Sequence, residues 1–331
     1  MRSRHTSEPT DAHQSGNGEK GEERAATGAH TRAPATCLLS NGRYHVMATN
    51  AGGGYSHWRN SALTRWQEDF TRDNLGVFIY VRDVDNHDFW SSTLQPTRGS
   101  AADYQALFSG AKAVFDSDVG KVATHTDITV CVDDDVELRR VTIVNYADYR
   151  RALDLTSYAE VVLDRPATDD AHPAFSKLFV QTEIIPDVQA IICHRRGGNA
   201  DERQPWMFHM VFASFASSNG VSYETDRARF IGRGCTTANP QAMIDPAPLS
   251  ATQGSVLDPI VSIRFPLSLD PGRSAVVTYL FGVGDSRQAC LDLIKKYRDQ
   301  ALIERSFERA SKQFESYVHD GKMTEGDIDV Y

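Results

Sequence analysis

Between residue 37 and about residue 284 the chain alternates short apolar runs with polar turns, and within the runs the period is two. Val77–Val81 is β-branched and aromatic and is closed by Arg82 and Asp83. Val136–Asn145 and Leu153–Leu163 set apolar side chains at alternate positions over much of their length. Further strands are expected over 177–183, 190–195, 206–215, 256–265 and 274–282, separated by clusters with Gly, Pro, Asn or Asp. Many short strands without intervening helices predict an all-β fold, a large antiparallel sandwich. The period then changes. Asp285 and Ser286 are placed to cap a helix that carries Ala289, Leu291, Leu293 and Ile294 towards Tyr297. Residues 301–318 repeat Leu302, Phe307, Ala310, Phe314 and Val318 at mostly three- and four-residue spacing, which predicts a second helix with a charged outer face.

These patterns divide the chain. Residues 1–36 hold hardly any large apolar side chain and are expected to be a disordered polar tail. A sandwich domain over 37–284, linker helices over 285–320 and a polar tail over 321–331 follow. The formal net charge of -9 argues against a general nucleic-acid binder, which needs a basic face. No run approaches the roughly 18–20 apolar residues that span a bilayer, and the N-terminus lacks the apolar core of a secretory signal, so a cytoplasmic chain is expected. Cys37, Cys131, Cys193, Cys235 and Cys290 are scattered and form no zinc or redox pair; they read as small buried hydrophobes in a reducing compartment. No compact ligand set joins the histidines either, so neither metal nor cofactor is expected.

Candidate chemistry centres on Gly52-Gly53-Gly54, followed by Tyr55, Ser56, His57, Trp58, Arg59 and Asn60. The glycines fit neither a phosphate loop nor a dinucleotide fingerprint. Two readings stay open: a wide turn, or a loop whose missing side chains admit a ligand close to the backbone. Under the second, Tyr55, Trp58 and Trp66 offer flat apolar faces while Ser56, Arg59 and Asn60 supply hydrogen bonds, a mixture that suits sugars. The candidate carbohydrate-binding residues are therefore Tyr55, Ser56, Trp58, Arg59 and Trp66.

Acid–base candidates are less defined. Asp133-Asp134-Asp135 reads as a solvated turn; Glu160 and Glu183 fall in expected strands and are better placed to face a cleft, but read first as surface or structurally paired carboxylates. Arg227 and Arg229 fall on one face if their segment is a strand; an anion or sugar contact is one reading, and exposed cross-strand ion pairing is the one expected first. An aldose mutarotase would need an acid and a base across the sugar. Glu160 or Glu183 with His172 or His209 are the available types, but no spacing selects a pair. No catalytic residue is assigned.

Several segments in order resemble one family: LLSNGRYHVMATNAGGGYSHWRNSALTRW, FIYVRDVD, LTSYAEVVL, DDAHPAFSKLFVQTE, YETDRARFIGRG and GSVLDPIVSIR. Together they resemble the cyclic β-1,2-glucan synthases, in the sandwich domain of the C-terminal region that is related to the cellobiose and chitobiose phosphorylases of glycoside hydrolase family 94. The resemblance covers about Cys37 to His319. It implies a β-supersandwich akin to galactose mutarotase, then linker helices. In the family an (α/α)6 barrel follows, carrying the general-acid Asp and the phosphate-binding groups. No segment of this chain corresponds to it, so the chain alone is expected to be a non-catalytic, β-glucan-associated domain that works with a barrel partner or as a homodimer. The resemblance also places the Gly-Gly-Gly-Tyr-Ser stretch near the meeting of sandwich, barrel and a subunit interface. Expected alternatives are a stand-alone mutarotase-like enzyme and a purely structural interaction module.

Overall fold

The computed structural model describes residues 24–26, 34–67, 69, 73–99, 103–197 and 205–319. The first strands are β1 (Arg24–Ala26), β2 (Thr36–Ser40), β3 (Tyr44–Thr49), β4 (Gly54–Trp58), β5 (Ser61–Thr64), β6 (Phe78–Asp83) and β7 (Phe89–Ser91). Next come β8 (Asp103–Phe108), β9 (Ala113–Val119), β10 (Val122–Val130), β11 (Val136–Asn145) and β12 (Arg151–Asp164). Short helices α1 (Pro166–Ala171) and α2 (Pro173–Lys177) precede β13 (Val180–Ile185), β14 (Ala190–Arg195), β15 (Trp206–Phe212) and β16 (Ser222–Asp226). Two more, α3 (Arg227–Ile231) and α4 (Gln241–Ile244), lead to β17 (Pro259–Leu269), β18 (Ser274–Gly284), α5 (Arg287–Lys296) and α6 (Gln300–His319).

The strands form two antiparallel sheets. The first runs β1-β8-β9-β10-β11-β18-β15-β14-β13, and the second β16-β17-β12-β5-β4-β3-β2, with β6 and β7 joined to it through β12. At 14 residues β12 is the spine of the second sheet. It pairs with β17 along one edge and with β6 and then β5 along the other. Its inward Leu153, Leu155, Ala159, Val161 and Leu163 enter the main core between the sheets. Its outward Tyr158 packs with Phe230, Ile231 and Met243 under α3 and α4.

Helices also cover the first sheet. Cys290, Ile294, Tyr297, Ile303 and Phe307 of the α5–α6 region pack on Val136, Leu138, Ile192, Phe208 and Leu280. The sandwich itself thus covers the apolar stripe of the linker helices as far as Ala310, while Tyr317 and Val318 near the end of α6 stay exposed. Ser286 caps α5 by accepting from the Ala289 amide, as its sequence predicts.

This arrangement bears on three of the readings. The polar tail over 1–36 includes β1, whose Arg24–Ala26 backbone pairs with Ala106–Phe108, and its final residue opens β2. The backbone hydrogen bonds of a sheet edge recruit such a segment without needing large side chains; the remainder of that tail, apart from Pro34 and Ala35, and the tail over 321–331 lie outside the described residues. Arg227 and Arg229 sit on a helix rather than a strand, because the Asp226 side chain caps α3 through the Ala228 amide. Asp133-Asp134-Asp135 is a bend before β11 with Asp133 exposed, as expected, but its carboxylates are paired. Arg309 bonds Asp133 at 2.9 Å, Lys296 and Tyr297 bond Asp134 at 2.6 and 2.8 Å, and Arg43 and Trp58 bond Asp135 at 2.9 and 2.7 Å. The cluster fastens the last two helices to the sandwich.

A second polar fastening lies beneath α6. Arg140 joins Asp127 at 2.7 Å and Glu304 at 3.0 Å, and its guanidinium lies 4.1 Å from the Phe307 ring centre. His125 bonds Asp116 at 2.6 Å and lies 3.4 Å from Asp127. The hydrogen bond to Asp127, helped by Asp116 and opposed by burial, raises the His125 pKa from 6.5 to about 9. Because the folded value is the higher one, the stabilisation is complete below about pH 6.5 and is lost as pH rises through about 9. His125→Gln is expected to flatten this alkaline limb in urea titrations at stepped pH. An unchanged limb in the variant would assign the loss to other groups.

Candidate functional site

Period-two alternation along β4 sends consecutive residues to opposite faces of the second sheet. Tyr55 and His57 point outward. Ser56 and Trp58 point into the sandwich, where Ser56 is fully buried and donates to Glu137 at 2.5 Å. The Trp58 indole N–H is taken by Asp135. Arg59 occupies the β4–β5 turn with φ of 52° and lays its guanidinium 4.3 Å from the Trp58 ring centre. Of the five candidates, Tyr55 and Trp66 therefore come together, with ring centres 5.9 Å apart and planes at 60°. Ser56, Trp58 and Arg59 do not join them.

The two aromatic rings border a cavity of about 290 Å3 lined also by His57, Thr64, Arg65, Gln67, Val162, Pro166, Asp169 and Asp170. Three chain segments build it: β4 and β5 with the residues after it, the end of β12, and α1. The end of β12 is irregular there. Its register with β5 shifts between Val161 and Asp164, and Leu163 is held at φ of 56°. A bulky side chain in that region marks local backbone strain, and such bulges re-aim neighbouring residues. Here Val162 faces the cavity while Leu163 stays in the core.

The available hydrogen-bonding groups are mostly neutral. Burial, followed by the nearby His45, lowers the His57 pKa below its ordinary value. Burial also raises the Tyr55 hydroxyl, which stays a phenol. Arg65 is already engaged: Nε and Nη2 reach Asp169 at 2.9 Å each and Nη1 reaches Glu160 at 3.0 Å. Glu160 is bound in turn by Arg227 at 2.8 Å and by the Tyr158 hydroxyl at 3.0 Å. Burial alone would raise the Glu160 carboxyl, but Arg227 and Arg65 together hold it below the usual range. A carboxylate so held is a poor proton donor.

The other acid–base candidates have separate partners. Glu183 pairs with Arg287 on an exposed part of the first sheet. His209 is fully buried, stacks on Phe281 at 4.1 Å, and shares a 2.7 Å hydrogen bond with Ser157 and a 3.0 Å one with the Leu280 carbonyl. Burial lowers its pKa to about 3, so it is a neutral core residue. His172 is exposed between α1 and α2. Among the described residues no group of three His, Cys, Asp or Glu side chains is arranged to hold a metal ion. All five cysteines are free thiols, four of them buried.

The triple glycine serves the chain's own packing. A Cβ at Gly52 would meet Thr93, one at Gly53 would lie 1.8 Å from Asp73 Oδ1, and one at Gly54 would lie 1.9 Å from the Met47 carbonyl oxygen. The close approach is made by neighbouring segments, and the turn sets the angle at which Tyr55 enters the sheet.

Two antiparallel sheets with these covering helices are matched by sequence as well: residues 22–300 fit the family described as glycosyl hydrolase 94, supersandwich domain. The chain belongs to that family. This supersandwich domain is 36% identical over 263 residues to the cyclic beta-(1,2)-glucan synthase NdvB of Rhizobium meliloti, covering 80% of the chain and 9% of the synthase. It is 25% identical to an N,N'-diacetylchitobiose phosphorylase of Vibrio proteolyticus, covering 83% of the chain and 34% of the phosphorylase. It is 24% identical to a solabiose phosphorylase of Paenibacillus borealis, covering 88% of the chain and 37% of that protein. The supersandwich chain therefore spans about a third or less of each of these relatives. Among its described residues no helix is long and apolar enough to cross a membrane.

Proposed function

We propose that the domain is a non-catalytic carbohydrate-binding module whose cavity at Tyr55 and Trp66 takes one end of a β-glucan oligosaccharide. The observation that carries this reading is the tilted aromatic pair over a small cavity whose walls mix hydrogen-bonding side chains with apolar Ala62, Val162 and Pro166. Sugar rings present C–H faces to such rings and hydroxyls to such groups. The cavity lies near the small end of the usual ligand range, which suits one or two sugar units. The matched synthase makes a cyclic β-1,2-linked glucan by its name, and that linkage is the first to try. Bond making or breaking would fall to an (α/α)6 barrel, in a partner or elsewhere in the same polypeptide. The ion-paired state of Glu160 and the burial of His209 favour this over a stand-alone mutarotase.

The test is a titration with β-1,2-linked gluco-oligosaccharides, followed by calorimetry and tryptophan fluorescence. Wild-type protein is expected to bind, and Trp66→Ala to weaken binding by about tenfold with little change in melting temperature, since Trp66 is half-buried at the rim. Absence of saccharide binding to the wild type would end the proposal.

A further inference from the structure

Among the walls of the cavity, α1 has the weakest reason to stay in place. It is six residues long, lacks a side-chain cap, and its single buried residue is Asp169. A helix this short has no independent stability in water. Burial of apolar surface cannot hold it either, because the residue it buries is a carboxylate. Within α1 itself, the side-chain tie to the sheet is the two-pronged bond from Arg65, which is itself only 7% exposed. Charge-assisted bonds of this parallel geometry are the strong ones.

We propose that Arg65 is a positioning residue, a clasp that holds α1 against the sheet as the third wall of the saccharide cavity. This rests on the saccharide reading above. The clasp is anchored behind: Nη1 binds Glu160, the Arg65 amide donates to the Glu160 carbonyl at 3.1 Å, and Glu160 binds Arg227. The ends of the segment are tied as well. Asp164, before α1, pairs with Arg195 at 2.8 Å, and Lys177, at the end of α2, pairs with Asp258 at 2.8 Å. With three donors engaged by carboxylates, Arg65 acts on a ligand through Pro166, Asp169 and Asp170, by fixing where they stand. The strained Leu163 lies three residues before the first residue of the helix, so the chain enters α1 from an irregular end of β12.

The experiment compares wild type, Asp169→Asn, Asp170→Asn and Pro166→Gly by backbone hydrogen exchange read by mass spectrometry, with and without a β-1,2-linked gluco-oligosaccharide. Asp169→Asn is expected to lose protection in the peptide spanning α1 while β4, β5 and β12 keep theirs, and to weaken saccharide binding by about tenfold. Asp170→Asn, which makes no bond to Arg65, keeps the protection. Pro166→Gly loosens α1 from its other end with every buried charge still paired, so it gives the same direction of change even where Asp169→Asn folds poorly. Unchanged α1 protection and unchanged affinity in both Asp169→Asn and Pro166→Gly would overturn the clasp. Lost protection in a protein whose wild type binds no saccharide would sink the saccharide reading and leave the clasp standing.

Discussion

Gly54→Ala is expected to leave little folded protein. The new methyl would sit 1.9 Å from the Met47 carbonyl oxygen, with Ala48 Cα at 3.1 Å, and Gly54 has φ of 148°. Both obstacles are backbone of the adjacent strand β3, paired at Ala48 and Gly54, so no rotamer change relieves them. The only escape is to part β3 from β4. We expect a loss of about 4 kcal/mol or more, the range of severe single substitutions, seen as insoluble product or a collapsed urea midpoint. Gly42→Ala is the control. Its φ of 88° is unfavourable for alanine but nothing lies within 4 Å of the added carbon, so it should cost about 1 kcal/mol. Equal stability of the two variants would show that backbone angle, not collision, governs both.

Glu137→Ala is expected to be the most damaging change at a charged position. Glu137 lies on β11, fully buried, and spans the gap between the sheets by accepting from Ser56 at 2.5 Å, Tyr44 at 3.1 Å and Arg139 at 2.5 Å. Removing it strands the Arg139 guanidinium, whose other hydrogen bond goes to the Val77 carbonyl. A buried charge left without its partner costs about 3–5 kcal/mol. Glu137→Gln keeps the shape and one acceptor and should cost less. Chemical denaturation of both variants decides the matter; a Glu137→Ala protein within about 1 kcal/mol of wild type would mean that water replaces the carboxylate.

The same residue shows what a chain of letters conceals. Alternation marks Val136–Asn145 as a strand with the observed bounds, yet it hides the direction of its faces. Val136 and Leu138 point outward under α5 and α6, while Glu137 and Arg139 point inward. Which side of a strand is wet depends on what later covers it, and the covering helices arrive more than 140 residues downstream. Strands β8 to β10 do not stand out as separate elements in the sequence because Thr, Asp and His interrupt them, as in Val122–Val130. The α3 helix is disguised because Arg227 and Arg229 mimic alternation; the capping Asp226 before Phe230 and Ile231 is the available signal.

At the cavity, Tyr55 and Trp66 are legible as aromatic residues beside polar ones. The separation of Ser56 and Trp58 from Tyr55 is also legible once β4 is recognised as a strand. His57 follows from the same parity. Arg65 and Asp169 are not readable, because 104 residues separate the partners and neither carries a local pattern. The family resemblance supplies the architecture, but the glycines it singles out serve internal packing.

The alternation of β4 leaves the domain with a simple address system. Its odd-numbered side chains, Tyr55 and His57, face outward, whereas its even-numbered ones, Ser56 and Trp58, reach Glu137 and Asp135, the carboxylates that tie the two sheets to each other. On the proposed saccharide reading, selectivity would be rewritten at the first pair without disturbing the frame, and a change at the second pair loosens the frame whatever is offered.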